Sequence, residues 1–313
     1  MAVDNAKVSG ARSLGMVSPM RLKRLRRRRG GVIDRRGQRF PIGRGGGAGR
    51  SVGVGGGAIG VLLLVVIFAF QLCGDGGFGI PSPGDLGGAE EAPSGQEGPD
   101  PDAKLVELVD AVFDDVQITW EQDIFRPAGR RYEDTGLVLF TDRTQSGCGV
   151  ASSATGPFYC PADGLVYLDL DFFRELEQRF DAPGDFAQAY VLAHEVGHHV
   201  QTILGINQDV QRRSREDPQI ANELSVRLEL QADCFAGVWG ASAYSRGVLQ
   251  PGDIEEGIAA AEAVGDDRIQ ERTQGRIDPE TFTHGTSEQR VRWFRVGFDT
   301  GDPEACDTFD AEI

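Results

Sequence analysis

The strongest constraint on this 313-residue chain is an uncharged segment, Ser51 to Gly74, that separates a basic part from an acidic part. As an α-helix rising about 1.5 Å per residue, the segment would span roughly 36 Å, which exceeds the bilayer core of about 30 Å. Its second half, Val61 to Phe70, is continuously apolar. We therefore predict one transmembrane helix over residues 51–74. The alternatives are a buried core helix and a cleaved signal peptide, although no small-residue cleavage site follows Phe70.

The charges on either side of this segment indicate its orientation. Residues 1–50 contain 14 Lys or Arg against 2 Asp or Glu, whereas the rest of the chain contains 18 against 46. The positive-inside rule therefore predicts a cytoplasmic arm over residues 1–50 and an extracytoplasmic domain held at the inner, or plasma, membrane. The acidic bulk argues against nucleic acid as a partner, because phosphate binding needs a basic face. Translation can start at Met1 or Met20, since the residues before Met20 carry no pattern.

A second change of composition predicts where the folded domain begins. Residues 75–103 consist mostly of Gly, Pro, Ser and acidic residues with almost nothing to bury, which is typical of a flexible linker. The folded domain is expected over residues 104–313.

The cysteines fit an extracytoplasmic domain. Four cysteines in this domain permit three pairings. Cys148 and Cys160 flank a short loop rich in Gly and Ser, so local spacing favours their pairing and leaves Cys234 with Cys306. Outside the cell we expect disulfides, and buried free thiols are the alternative. A structural zinc–thiolate site is disfavoured because the chain has no Cys-x-x-Cys pair.

Residue periodicity predicts an α+β fold in which a small sheet precedes a helical bundle. Apolar residues at helical spacing predict a helix from about Leu105 to Trp120, and two short β-rich runs predict strands at 136–141 and 165–170. Start and stop signals then predict a succession of helices. These are a helix over 185–205 capped by Asp185, one from Asp217-Pro218 to about Gly247, one opened by a capping box of Asp253 and Glu256, and one opened by a capping box of Thr286 and Gln289.

The helix over 185–205 carries the motif His194-Glu195-Val196-Gly197-His198. Histidines four residues apart lie on one helix face, so both imidazoles can reach one metal ion. Glu195, beside the first histidine, can take a proton from a metal-bound water. The motif also occurs by chance on solvated helices, but this helix is apolar, and three of the chain's four histidines fall within six residues. His199 lies on a different side of the helix, which favours packing over ligation.

A catalytic zinc ion needs a third protein ligand. Glu229 and Asp233 share a face of the next long helix at i, i+4, in an otherwise apolar stretch. One ligand and one carboxylate that holds a histidine's other ring nitrogen would explain both acids. Two surface acids are the alternative interpretation, and Glu223 and His284 are rival ligands. His284, just before a predicted helix start, can also donate to a developing oxyanion.

These motifs together resemble the bacterial "Putative neutral zinc metallopeptidase" family, whose members are single-pass membrane proteins with an Arg/Gly-rich N-terminus. The likeness extends over about residues 104–310, and its core motifs here are His194 to Gln201, Glu229-Leu-Gln-Ala-Asp233 and Thr283-His284-Gly-Thr-Ser-Glu-Gln-Arg290. In the wider zincin group, the Glu of Glu-x-x-Ala-Asp is the third ligand, which maps to Glu229. That group also has Thr-His-Pro before a helix with an Arg, whereas Gly285 replaces the Pro here.

The sequence and this resemblance together predict a membrane-anchored, extracytoplasmic zinc metallopeptidase with a zincin-like, mainly helical domain. One Zn²⁺ per chain would be held by His194, His198 and Glu229, with Glu195 as general base, Asp233 behind a ligand histidine and His284 near the oxyanion. The expected partner is a peptide or protein substrate. Two alternatives stay open: a catalytically silent zincin that acts as a binding module, and a zinc hydrolase of non-peptide bonds such as cell-wall amides.

Overall fold

A small mixed sheet lies against a bundle of helices in the computed structural model, which describes residues 19–28, 31–38, 99–180 and 182–313. The predicted α+β class, mainly helical, is confirmed. The larger sheet has the order β1-β2-β6-β5 and is built from β1 (Val32–Asp34), β2 (Gly136–Phe140), β5 (Phe158–Cys160) and β6 (Leu165–Asp169). The first three strands in that order are parallel, and β5 runs antiparallel to β6. A separate hairpin joins β3 (Arg143–Ser146) to β4 (Gly149–Ser152).

Among the described residues, one α-helix precedes β2 and the other α-helices follow β6, as predicted. The first, α1, spans Ala103–Ile118 and continues as a π-helical turn over Thr119–Phe125. The others are α2 (Asp171–Phe180), α3 (Asp185–Ile203), α4 (Ile206–Glu216), α5 (Ala221–Ser245), α6 (Asp253–Ala263), α7 (Asp266–Gln274) and α8 (Ser287–Thr300). The sequence analysis missed α2, α4 and α7, whose residues are mostly polar.

Both faces of the larger sheet are buried, which explains its continuously apolar strands. Leu137 and Leu139 of β2 point into the main core, while Val138 and Phe140 point into a smaller cluster on the opposite face. The two short β-rich runs therefore located β2 and β6 correctly, and their continuous apolar character reflects burial on both faces.

The centre of the bundle depends on close helix packing between α5 and α8. A side chain added at Gly237 would overlap the backbone carbonyl of Phe294, and one added at Gly297 would overlap that of Cys234. The two helices therefore touch backbone to backbone, which only glycine permits at these positions. This contact fixes the position of α5, the helix that carries Glu229 and Asp233.

The predicted capping signals have mixed outcomes. Thr286 and Gln289 form the expected reciprocal capping box of α8. The predicted capping box of Asp253 and Glu256 is wrong: Gly252 precedes α6, and the Glu256 carboxylate accepts a hydrogen bond from the backbone N–H of Phe186 in α3 instead (3.1 Å). Gly184, not Asp185, occupies the capping position of α3. Tertiary contacts between two helix starts have replaced local capping here.

Both predicted disulfides are present, Cys148–Cys160 and Cys234–Cys306. The first closes the loop that contains β4 and β5. The second ties α5 to the C-terminal segment after α8, 72 residues further along the chain.

The predicted membrane helix over 51–74 and the linker up to residue 98 lie outside the described residues, so both stay predictions. Among the described residues, no helix has the length and the apolar character needed to cross a membrane. Residues 19–28 and 31–38, which belong to the predicted cytoplasmic arm, pack against the domain. Arg26 N–H donates to buried Asp115 (2.7 Å) and Arg28 N–H to buried Asp114 (2.7 Å).

These contacts need the arm and the domain on the same side of a membrane, whereas the predicted topology separates them. Single cysteines at exposed Lys23 in the arm and Tyr244 in the domain, each in a Cys73→Ser background, can be labelled in intact cells with a membrane-impermeant maleimide. The packed arm predicts that both sites react or that neither does. Labelling after permeabilisation is the control, and reaction at Tyr244→Cys alone would support a cytoplasmic arm.

Candidate metal centre

The candidate metal centre lies where α3 crosses α5, and it contains three ligand atoms that face one another. His194 Nε2 lies 3.2 Å from His198 Nε2 and 3.2 Å from Glu229 Oε2. The other carboxylate oxygen of Glu229 lies 3.5 Å from His198 Nε2. All three residues form one group of potential metal ligands and are buried or nearly so. The structure thus brings together the three residues predicted as ligands.

Gly197, inside the histidine motif, sets the separation of the two helices. A Cβ at this position would lie 3.1 Å from the carbonyl oxygen of Ala232, closer than most real contacts of a Cβ atom. Ala232 lies between Glu229 and Asp233 in sequence. The absence of a side chain at Gly197 therefore lets α3 approach α5 at the level of the site.

A buried carboxylate orients His194. Asp233, fully buried, has one oxygen 2.8 Å from His194 Nδ1, the contact that the sequence analysis proposed for it. The same carboxylate accepts two hydrogen bonds from Arg290 of α8 (2.8 and 2.9 Å) and one from the Tyr190 hydroxyl (2.5 Å). With its charge balanced by Arg290, Asp233 holds the imidazole so that Nε2 faces the site.

A chain of amides orients His198. Its Nδ1 lies 2.8 Å from Gln201 Oε1. The amide nitrogen of Gln201 donates to the Leu228 carbonyl (2.7 Å) and to Gln231 Oε1 (3.1 Å), and Gln231 donates in turn to the carbonyl of Cys306 (2.9 Å). Because both amide groups have acceptors on their nitrogen side, Gln201 presents its oxygen to His198.

These partners fix the protonation of both rings and make the centre a cation site. Each Nδ1 donates to an oxygen, so each neutral imidazole has a lone pair on Nε2, and the two lone pairs face each other and the Glu229 carboxylate. Three acceptors at this separation repel one another unless a proton or a metal ion lies between them. Two nitrogens and a carboxylate oxygen are ligands typical of zinc, so the residues present fit that ion.

The carboxylates around the two histidines also favour positive charge at the site. Although burial lowers it, the Asp233 and Glu229 carboxylates raise the pKa of His194 to about 10. Burial raises the pKa of Glu229, but His198 and His194 outweigh it and hold that pKa below its usual range. The site therefore favours positive charge, and a metal ion would compete with a proton for it.

Glu195 lies next to these ligands in sequence but does not belong to the group of potential metal ligands. Its side chain is buried, and burial raises its pKa, whereas His194 and His198 act in the opposite direction. Among the described residues, no side chain donates a hydrogen bond to its carboxylate. A buried carboxylate that has no side-chain donor among the described residues and lies next to a cation site is suited to proton transfer.

His284 lies in the loop before α8 and is held by an aspartate that the sequence analysis did not single out. One oxygen of Asp266 accepts the backbone N–H groups of Thr283, His284 and Gly285 (2.6, 2.6 and 3.2 Å), and the other lies 3.1 Å from His284 Nδ1. Burial lowers the pKa of His284, but Asp266 and then Glu229 raise it above its usual value. The ring is therefore within electrostatic reach of Glu229.

Two other candidates do not join the site. Glu223, a rival third ligand, has an exposed side chain that pairs with Arg227 (2.9 Å). His199 points away from the ligands, with its nitrogens near the Tyr159 hydroxyl (3.2 Å) and the Glu133 carbonyl (2.6 Å). The expectation that His199 packs rather than ligates agrees with these contacts.

The amide chain behind His198 gives a testable expectation. In Gln201→Leu the His198 ring loses the partner that fixes its tautomer, so zinc affinity should fall by roughly 10–100-fold, as for other residues that orient ligands. Competition with a fluorescent zinc chelator measures this directly. Gln188→Leu is the matched control, because Gln188 lies on the same helix and its amide oxygen has no partner among the described residues. Equal losses in both variants would show a general effect on α3.

Comparisons with known proteins agree with the geometry. Residues 20–309 match the model of the family described as "Putative neutral zinc metallopeptidase". The chain is 46% identical over 255 residues to the uncharacterized protein YpfJ of Escherichia coli (strain K12), a match that covers 81% of this chain and 88% of that protein. It is 49% identical over 199 residues to the uncharacterized protein Rv2575 of Mycobacterium tuberculosis (strain H37Rv), covering 60% and 67%.

No solved structure matches this chain significantly, so the described fold has no experimental counterpart in these comparisons. The family match nevertheless extends over most of the chain and includes every residue of the candidate centre and part of the N-terminal arm. The chain therefore belongs to the "Putative neutral zinc metallopeptidase" family.

Proposed function

We propose that this protein is a zinc-dependent peptidase that holds one Zn²⁺ per chain with His194, His198 and Glu229. The observation that carries the proposal is the convergence of the two Nε2 atoms and the Glu229 carboxylate at 3.2 to 3.5 Å, with each imidazole held through its Nδ1 by a neighbouring side chain. Family membership supports the choice of zinc. When bound, zinc supplies Lewis acidity, which lowers the pKa of a water molecule and polarises a substrate carbonyl.

Glu195 supplies the proton transfer in this mechanism. Its buried carboxylate takes a proton from the attacking water and later delivers it to the leaving amine. The raised pKa that burial gives this carboxyl suits both steps, because a group with a pKa nearer neutrality both accepts and releases a proton readily. A binding module would have no use for such a group at this position.

His284 stabilises the negative charge that develops on the carbonyl oxygen. The carboxylate of Asp266 holds its backbone and its Nδ1, which leaves Nε2 as the donor toward the site. Gly285, with φ at +86°, lets the loop turn against Val226 and Leu230 of α5, and so places the ring beside the helix that carries Glu229. Gly285 thus takes the place of the proline that related zincins have here.

A cavity of about 490 Å³ next to this loop is suited to a substrate side chain. Its wall includes Val226, Phe282 and Gly285, so it begins directly beside His284 and one helical turn from Glu229. The two disulfides suit an oxidising compartment, which supports the extracytoplasmic location. We therefore favour peptides or proteins outside the cytoplasm as substrates.

The variant Glu195→Gln separates catalysis from metal binding. It keeps the shape of the side chain and removes the basic carboxylate, so turnover of a peptide library should fall roughly 10²–10⁴-fold while zinc stays near one per chain. Activity by mass spectrometry and zinc content by atomic emission give the two readouts. Chelator-treated wild type is the control, and full activity in Glu195→Gln would contradict the mechanism.

Variants of the metal ligands and variants of the supporting residues should differ in how much zinc and how much activity they lose. His194→Ala, His198→Ala and Glu229→Ala should lose zinc and activity together, whereas Asp233→Asn should weaken zinc affinity by about 10–100-fold. His284→Gln should keep zinc and lower kcat by roughly 10²–10³-fold, the range for loss of one oxyanion donor. Zinc binding without hydrolysis of any peptide in the wild type would favour the binding-module alternative. Hydrolysis of cell-wall amides alone would favour the non-peptide hydrolase.

A further inference from the structure

A second group of acidic residues lies at the start of α3, more than two turns before His194. Asp185, Asp253 and Glu256 each place one carboxylate oxygen within 4.8 Å of those of the other two. We call these three residues the carboxylate cluster. Asp253 is completely buried, and the other two are half-buried. The cluster joins the first turn of α3 to the first turn of α6.

The carboxylate cluster lacks a balancing positive charge. Among the described residues, no Lys, Arg or His forms an ion pair with any of its members. Burial and mutual repulsion raise the pKa of Asp253 to about 6 and that of Glu256 to about 7. One oxygen of Asp253 accepts the Gln250 N–H (2.7 Å), but its other oxygen, Oδ1, is buried and has no hydrogen-bond partner in the part of the chain that the structure describes. Buried acids in this state normally have a cation nearby.

The backbone nitrogen of Met20 also lies at the cluster. It donates to Asp185 Oδ2 at 2.6 Å. The Met20 side chain is 3% exposed and belongs to the main core, and the next residue continues the attachment, since Arg21 N–H donates to the Val248 carbonyl (2.9 Å). Met20 is therefore firmly attached to the domain, and Pro19 before it is exposed. The family match also begins at residue 20.

We propose that the carboxylate cluster is a binding site for the free α-ammonium group of a chain whose translation starts at Met20. A peptide nitrogen at Met20 offers one N–H and no charge. An α-ammonium group offers three N–H donors and a positive charge, and its unperturbed pKa of about 7.7–8.0 keeps it mostly protonated next to carboxylates. It would supply the charge that the cluster lacks and a donor for Asp253 Oδ1.

The geometry favours an ammonium group over a divalent metal ion. Calcium takes six to eight oxygen ligands, but one oxygen each of Asp253 and Glu256 already accepts a backbone N–H. The Met20 N–H points at Asp185, and a donor aimed at a carboxylate takes the place that a metal would need. Capture of an N-terminal amine by oriented acceptors is a known form of recognition.

This site would couple the N-terminus to the metal centre. Asp185 is the first residue of α3, the helix that carries His194, Glu195 and His198. Glu256 reaches α3 over Gly184, where an added side chain would overlap its carboxylate. An ammonium ion bound here would fix the arm, α3 and α6 to one another. The proposal does not depend on the peptidase activity.

The test compares three forms of the full chain: one that starts at Met1, one that starts at Met20, and one with a single glycine added before Met20. In calcium-free buffer at pH 7, the Met20 form should melt about 3–10 °C above the other two. Asp185→Asn should lower the melting temperature of the Met20 form and have little effect on the Met1 form. Equal melting temperatures of all three forms would overturn the proposal.

Chemical labelling tests the same site without relying on stability. In the native Met20 form, the α-amine should react with an acylating reagent at least tenfold more slowly than in Asp253→Asn or Glu256→Gln. Lys23 and Lys104 are exposed and serve as internal references in the same digest. A freely reactive amine would overturn the proposal. So would 1 mM Ca²⁺ that raises the melting temperature of the Met1 form by an amount that Asp185→Asn abolishes, since that result would identify a metal site.

Discussion

The buried carboxylate of Asp233 is the interaction on which the rest of this structure depends. It lies on α5, accepts Arg290 from α8 and Tyr190 from α3, and holds His194 Nδ1 at 2.8 Å. An unpaired carboxylate at this depth would cost several kcal/mol. The three helices must therefore pack in the arrangement that keeps Asp233 paired with Arg290. The backbone contacts at Gly197, Gly237 and Gly297 bring those helices close enough for one carboxylate to reach all its partners. The packing of these three helices and the geometry of the metal centre therefore depend on the same contacts.

Local sequence signals correctly predicted the features that depend only on residues close together in the chain. Periodicity located the buried strands and the main helices, and the four-residue spacing of His194 and His198 put both on one helix face. Gln201 was missed as a functional residue because its role depends on Gln231 and Cys306, which only the tertiary fold brings near it. The role of Asp266 was missed for the same reason, since its three N–H donors come from a loop 17 to 19 residues further along the chain.

The error at Asp253 and Glu256 shows where sequence signals mislead. An acid three residues after another at a helix start has the form of a capping box, and the helix does start there. The Glu256 carboxylate nevertheless turns to α3, because the start of that helix lies alongside and its own N–H groups need acceptors, while Asp253 accepts the N–H of Gln250 before the helix. A pattern that predicts the position of a helix correctly can thus assign the wrong partner to the same side chains. The position of the neighbouring helix α3 decides whether such an acid caps its own helix or accepts an N–H group from another one.

Charge segregation along the chain has two physical origins that look identical in sequence. A basic arm and an acidic domain are expected when a membrane lies between them, and equally when the arm binds the domain. In the described structure the second origin accounts for several arginines: Arg26 pairs with Asp115 and Asp123, and Arg28 pairs with Glu121 and Asp134. Each of these contacts joins residues more than 80 positions apart, with the uncharged segment between them. The same excess of arginine that the positive-inside rule counts is therefore also what the acidic residues of α1, its π-helical turn and the following loop require, and distance along the chain does not distinguish the two origins.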